Sequence, residues 1–467
     1  MQMTKKSLMV AALACASSVT GFAGGADIEK PATAPVSSPA PQANQNQALE
    51  KELALLKARL SDLESKLDAC ACSQKSATSI AAPAGKTGKV FSQFDVELYG
   101  YICANVSYDS HGTVDLLGST NNGDLPYAVT AKNTNNNSHF SATARQTRLG
   151  LNVKGPEVLG GKVSATIETD FYGSASSQGS CTPRMRHAYA KWVKDSWTVL
   201  AGQTWDSFIT VMPDTINFNT LAYNGQLGNR RAQVRVAKSF NPELKKGDKI
   251  TLTGAIARPG YSATGYPHLQ YNAAYDVKLL TEKPSTFSIS GVVGKEKGDA
   301  TGAYRRYKVW AVIGSINLPV TSYLSFKGSA YTGANLGGVT AYYGCAGSNY
   351  TINYTPDGSG NSSFDNKSVR SVGGWLQATV NPIKKLAWNT GYGIDAPKKN
   401  DILAGASATA TTSTGITRIY TVYTNLIYSF TDNLSAGLEY QYLKTTRKVT
   451  DNSKADNRIG AMAMFKF

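Results

Sequence analysis

The sequence predicts an all-β chain, a transmembrane antiparallel β-barrel of about sixteen strands preceded by a short N-terminal coiled-coil helix. Three observations predict it. From Phe94 to the end, apolar and polar residues alternate with period two over stretches longer than soluble strands need. The connections between these stretches alternate between long polar segments and short turns. Ahead of them, six leucines repeat at heptad spacing.

Composition argues against the alternatives. A chain of 467 residues would suggest about three soluble domains at roughly 150 residues each. Only 17% of the residues are charged, however, against about 25% in soluble proteins. The excess lies in Gly, Tyr, Thr, Ser and Asn, which favour strands and turns. No apolar run of about 18 residues or more occurs outside the N-terminus, which argues against membrane-spanning helices. The charge balance is basic, with 48 Lys+Arg against 32 Asp+Glu.

Residues 1–26 read as a secretory signal peptide: Lys5 and Lys6 give a positive start, Leu8 to Val19 a short apolar core, and Ala23 or Ala26 a cleavage site. The apolar stretch is too short to span a bilayer, and Ala12-Leu13-Ala14 ahead of Cys15 fits a lipoprotein signal poorly. Losing Lys5 and Lys6 lowers the formal charge from +16 to about +14. Export leaves Cys70, Cys72, Cys103, Cys181 and Cys345, an odd set, so at least one is free or bridges chains. No zinc-type cysteine spacing occurs, and His111, His139, His187 and His268 do not cluster. Neither a metal nor a cofactor is expected.

Residues 27–47 form a Pro/Ala/Ser/Gln-rich linker, and 48–72 the coiled coil. Leu49, Leu53, Leu56, Leu60, Leu63 and Leu67 alternate spacings of four and three, which is a heptad seam. Cys70 falls on the next core position and is a possible inter-chain disulfide. An amphipathic helix packed on its own domain is the alternative. The unbroken leucine register and the following AAPAGKTGK favour self-association, because so short a helix is marginal alone. Residues 73–93 form a second linker, and 94–467 the barrel.

In FDVELYGYICANVSY, Val96, Leu98, Ile102, Ala104 and Val106 share one face, and Asp95, Glu97, Tyr99, Tyr101, Cys103, Asn105 and Ser107 the other. The pattern repeats near 145–154, 161–173, 183–194, 197–205, 230–240, 248–258, 268–279 and 285–295. It continues near 304–317, 321–333, 369–381, 385–395, 416–430, 434–446 and 456–467. Long connections at 109–144, 206–229, 334–368 and 396–415 alternate with short ones such as KDS, LPVT, NPIK and TDN. That is the asymmetry of an outer-membrane barrel, with long external loops and short periplasmic turns. The last strand ends in Phe467, a signal of the kind read by the barrel assembly machinery.

A barrel this wide holds water, so function lies in what narrows and charges its lumen. The connection DSFITVMPDTINFNTLAYNGQLGNR is apolar for an external loop and is expected to fold inward, with Asp206 and Asp214 as its acids. Period two points Arg148 and Lys154 away from Leu149, Leu151 and Val153. Arg184 with Arg186, Arg231 with Arg235, and Arg306 with Lys308 likewise share faces. A charge at mid-bilayer on the lipid face costs about 2–4 kcal/mol, so all are expected to line the pore as a ladder favouring anions.

The segments ELYGYICANVSYDS, RQTRLGLNVKGP, ATIETDFYG, PRMRHAYAKW and LAGQTWDSF resemble successive stretches of the DcaP-like porins within the general porin superfamily. The resemblance runs from Phe94 to Phe467 and is strongest up to Asp206. It implies a homotrimer with a periplasmic N-terminal coiled coil in the outer membrane of a diderm bacterium, passing small anionic solutes such as dicarboxylates. It also implies that Arg148, Arg184 and Arg186 are lumen residues. Cys103 and Asn105 depart from the family, which often has charged residues there. Expected partners are outer-membrane lipid, small anionic solutes and the assembly machinery, and no nucleic acid. No nucleophile motif points to an enzyme. The second reading is structural: the coiled coil and cysteines tether or cross-link the envelope.

Overall fold

A computed structural model describes residues 94–467, apart from 116–124, 131–136, 174–180, 220, 223, 246, 261–264, 301–302, 339–353, 357–361, 365–367, 402–415 and 448–452. The signal peptide, both linkers, the leucine seam from Leu49 to Leu67 and Cys70 lie outside the described residues.

The wall begins with β1 (Asp95–Asp109), followed by β2, which is interrupted (His139–Thr143 and Arg148–Val158). Next come β3 (Gly161–Asp170), β4 (Arg184–Lys194), β5 (Trp197–Trp205), β6 (Arg230–Phe240), β7 (Lys249–Ala257) and β8 (His268–Val277). Then come β9 (Ser285–Ala300), β10 (Ala303–Pro319), β11 (Leu324–Ala334) and β12 (Arg370–Ile383). The wall ends with β13 (Leu386–Pro397), β14 (Ile416–Ser429), β15 (Leu434–Arg447) and β16 (Ser453–Lys466). The sheet has 17 strand segments, but the two parts of β2 pair with successive stretches of β1 and occupy one position, so the wall is sixteen-stranded. Every pairing is antiparallel to the chain neighbour, and β1 closes the ring on β16, from Tyr101 opposite Lys466 to Asp109 opposite Arg458. Phe467 completes the seam, exchanging two 3.1 Å backbone hydrogen bonds with Gly100. Closure leaves no strand edge, the condition for placing strands in lipid.

The alternation sorts the two faces as their chemistry requires. Leu98, Ile102 and Val106 on β1, Leu149 and Leu151 on β2, and Ile459 and Phe465 on β16 are exposed on the outside, while Cys103, Ser107, Asp109, Arg458 and Met462 are buried inside. Exposed aromatics gather near the short turns (Trp197, Phe240, Tyr323, Trp388, Phe430) and again near the long loops (Tyr108, Phe140, Tyr271). These are the two interfacial girdles of a membrane barrel.

The hairpin of β9 and β10 runs on to Ala300 and Ala303, beyond the strand end expected near 295. The first long connection holds an unexpected two-stranded ribbon, Thr113–Asp115 with Pro126–Val129. Its Leu125, Tyr127, Ala128 and Val129 are buried with Tyr172, Ala222, Ile416, Ile419 and Leu443. A second ribbon, Tyr354–Pro356 with Ser362–Phe364, lies in the connection between β11 and β12.

Candidate functional site: the narrowed lumen

The 206–229 connection is folded against the inside of the wall. Ser207 donates its backbone N–H (2.8 Å) to Gln270 on β8, and the Thr210 and Ser288 hydroxyls meet at 2.9 Å on β9. Asp214 is tied to three strands. Its backbone N–H donates to Gln377 on β12 (2.7 Å), its carbonyl accepts from Asn425 on β14 (2.7 Å), and Lys327 Nζ on β11 lies 2.6 Å from its carboxylate. The Ile216 and Asn217 N–H groups both donate to the Glu439 carboxylate on β15, at 2.7 and 2.9 Å. A segment reaches strands so far around a closed wall only from within.

Its apolar side chains explain its composition. Phe208 and Leu227 pack on Val292, Val309, Ala311 and Ile313; Ile216 on Cys103 and Met462; and Leu221 on Trp375 and Tyr423. Each plugs into a separate patch of inward apolar side chains. Two glycines let the backbones touch: a Cβ on Gly225, whose φ is +113°, would overlap the Gly374 carbonyl, and one on Gly393 would overlap that of Asn224. The ribbon of the first connection joins from above. Asn219 and Asn224 donate to the carbonyls of Pro126 and Tyr127, and the Val129 N–H donates to Thr445 at 3.0 Å.

Where the loop reaches Phe218 it meets a cluster of arginines. Arg184 grips Asp170 with two hydrogen bonds of 2.8 and 2.6 Å. Arg186 bridges Glu168 (2.6 Å) and Asp170 (2.8 Å), and Arg148 Nε lies 3.4 Å from Glu168. Tyr99 donates its hydroxyl to the other oxygen of Glu168 at 3.1 Å. The guanidiniums also stand on rings: Arg148 over Tyr101 (5.0 Å), Arg184 over Tyr172 (5.5 Å) and Arg186 over Phe218 of the inward loop (5.3 Å). A bulge in β4 opposite Glu168 and Thr169 sets His187 beside Arg186, with Nδ1 3.0 Å from the Thr204 hydroxyl.

The sequence-derived residues thus divide. Arg148, Arg184, Arg186, Arg231 and Arg235 stand on the inner face, and Lys154 keeps that phase at the short-turn rim, in register with Asp95. Arg148 has the most exposed side chain of the first three, at 22%, against 12% and 3% for Arg184 and Arg186. Asp206 and Arg231 are buried together at the root of the loop, 2.7 Å apart, with Gln270 donating to the same carboxylate at 2.6 Å. That pair anchors the loop and does not face the passage. Arg235 bonds Gln233 and the Trp205 carbonyl.

Arg306 and Lys308 do not line the lumen. They share the outer face of β10 with exposed Trp310 and Val312, while Val309, Ala311 and Ile313 point inward under the loop. Both cations lie toward the long-loop end, beyond the apolar band, where an outward charge meets headgroups and water at little cost. Period two fixes that two residues share a face, not which face it is. The flanking aliphatics on both sides of β10 left that choice open in the sequence.

The carboxylates and amides that fix this arrangement are not among the residues that the sequence pattern singles out. Glu168 and Asp170 alternate with exposed Ile167, the same signal that picked out the arginines. Lys327, Gln377 and Glu439 carry no comparable local signal, since their roles depend on a loop far away in sequence.

Comparison with known proteins agrees with this geometry. Residues 42–254 match the family model described as DcaP outer membrane protein. Over those residues the chain resembles that family. The outer-membrane channel DcaP of Acinetobacter baumannii superposes with a TM-score of 0.61 at 22% identity, covering 81% of this chain and 99% of that one. OprB of Pseudomonas putida gives 0.51 at 12% identity, over 80% and 94%. Likeness at such identities shows the shared barrel fold. No curated protein matches. The chain is thus a closed sixteen-stranded barrel that shares its fold with solved outer-membrane channels, and its residues 42–254 resemble the DcaP outer membrane protein family.

Proposed function

We propose that the chain forms a homotrimeric, water-filled pore for passive diffusion of small hydrophilic solutes, preferring anions of the dicarboxylate type. The observation that carries the reading is the excess of cations on the inner wall beside the loop. Arg148, Arg184 and Arg186 stand against two carboxylates, Glu168 and Asp170, and Arg235 bonds an amide and a carbonyl. Bidentate guanidinium contacts suit a carboxylate passing in single file. Partial neutralisation keeps binding weak enough for release, which conduction requires. Along the loop itself, Asp214 is paired with Lys327. The trimer, with its N-terminal coiled coil in the periplasm, follows from the resemblance to DcaP-like porins.

Liposome swelling tests the preference. A four-carbon dicarboxylate is expected to enter faster than a neutral diol or a diamine of the same length. Equal rates for all three, or a faster diamine, contradict the reading.

A further inference from the structure

We propose that the outer wall carries a binding site for a phosphorylated acyl lipid of the external leaflet, built by Arg258, Lys295, Arg306 and Lys308 around Tyr266. The outward cations of β10 are its starting point. Arg306 and Lys308 project outward with Trp310, and Lys295 stands directly opposite Lys308 on β9, in phase with exposed Val293. Arg258 follows β7 in phase with exposed Ile256. Lys295 Nζ lies 4.5 Å and the Arg306 guanidinium carbon 5.5 Å from the Tyr266 ring centre. Two cations are thus held within about 10 Å of each other on one ring, a repulsive arrangement that a bridging anion relieves.

Height in the bilayer agrees. Lys308 stands about eleven residues above the short turn that follows Pro319. At about 3.3 Å per residue and a tilt near 40°, that is about 28 Å, just above an apolar band about 25 Å tall. Phosphates of an external-leaflet lipid lie at this level.

The same face offers a place for the acyl part. A concavity of about 600 Å³ is floored by Ala232, Val234 and Ile256 and walled by Tyr266 and Pro267, with Arg258 at its rim. Gly265 on this wall would bring a Cβ within 3.7 Å of Arg306 Nη2, so groove and cations are contiguous. An apolar trough capped by cations matches a lipid with phosphate at one end and chains below. A free phosphate ion would leave the trough unused.

The full-length protein in detergent, titrated with a diphosphoryl lipid A and followed by native mass spectrometry, tests the site. The wild type should retain the lipid, and Arg306→Gln/Lys308→Gln should weaken its apparent affinity at least tenfold. Filling the trough with Ile256→Trp should weaken the acylated lipid with the cations intact. Neither phosphatidylethanolamine nor inorganic phosphate should displace it. Bilayer conductance and reversal potential of the double variant should match the wild type, which also reports an intact barrel. Unchanged lipid affinity, displacement by inorganic phosphate, a changed oligomeric state in the double variant or an altered reversal potential would each overturn the proposal. The last would place the two cations at the lumen.

Discussion

At the scale of single residues, the lumen arginines divide by exposure and partner. Arg186 is nearly buried between Glu168 and Asp170 and under Phe218. Removing it leaves two carboxylates facing each other with one cation fewer, and breaking such a buried pair costs about 3–5 kcal/mol. Arg186→Ala is therefore expected to lower the thermal unfolding midpoint measurably, and an unchanged midpoint would show the cluster to be solvated. Arg148 is half as encumbered: one long contact to Glu168 and a ring beneath it. Arg148→Gln should leave the midpoint near wild type and reduce anion preference in the bilayer. The contrast arises from geometry that sequence alone does not carry. Period two placed Arg148 and Arg186 on the same inner face, yet only the register between β3 and β4, with its bulge, sets which guanidinium is consumed by the carboxylates.

At the scale of elements, the inward loop is held by scattered contacts to β8, β9, β11, β12, β14 and β15. Its capture rests on backbone N–H groups finding side-chain acceptors such as Gln377 and Glu439, which would otherwise be buried donors without partners. Glu439→Ala removes the acceptor of two loop N–H groups and of the Asn425 and Gln441 side-chain amides. The expected result is a noisier channel of higher mean conductance, because the loop samples positions off the wall. A quiet wild-type conductance would count against the loop as the constriction. A direct geometric check is Asn217→Cys/Gln441→Cys, whose native side chains meet at 2.9 Å. A short bismaleimide, which spans the gap that two shortened side chains leave and a direct disulfide does not, should cross-link loop to wall with conductance preserved, and failure to cross-link would mean the loop lies elsewhere. The wall strands were legible because two-sided strands in lipid must alternate at every position. The loop's inward course was legible from its apolar residues, whereas the ribbon at Pro126–Val129 was hidden between Asn121-Asn122 before it and the Asn-rich stretch 133–137 after it.

At the scale of the whole molecule, the low charged fraction reflects an outer face that meets lipid and a ring closed by Phe467 on Gly100. An arginine placed in the outer band, as in Ile289→Arg, should cost about 2–4 kcal/mol of barrel stability, read as a lowered folding midpoint in urea. Lys308→Leu should change the midpoint little, since that cation stands above the band and is already solvated. A stabilisation by Lys308→Leu as large as the Ile289→Arg penalty would contradict the assigned bilayer position. The net positive charge is therefore divided between two faces. Part lines the passage, against Glu168 and Asp170, and part stands outside around Tyr266. Only the inner part bears on permeation. The measurement that reaches it most directly is the reversal potential of the full-length protein in a planar bilayer under a KCl gradient. A potential on the chloride side, moved toward zero by Arg148→Gln and unmoved by Arg306→Gln/Lys308→Gln, is predicted. A potential on the potassium side in the wild type would contradict the account.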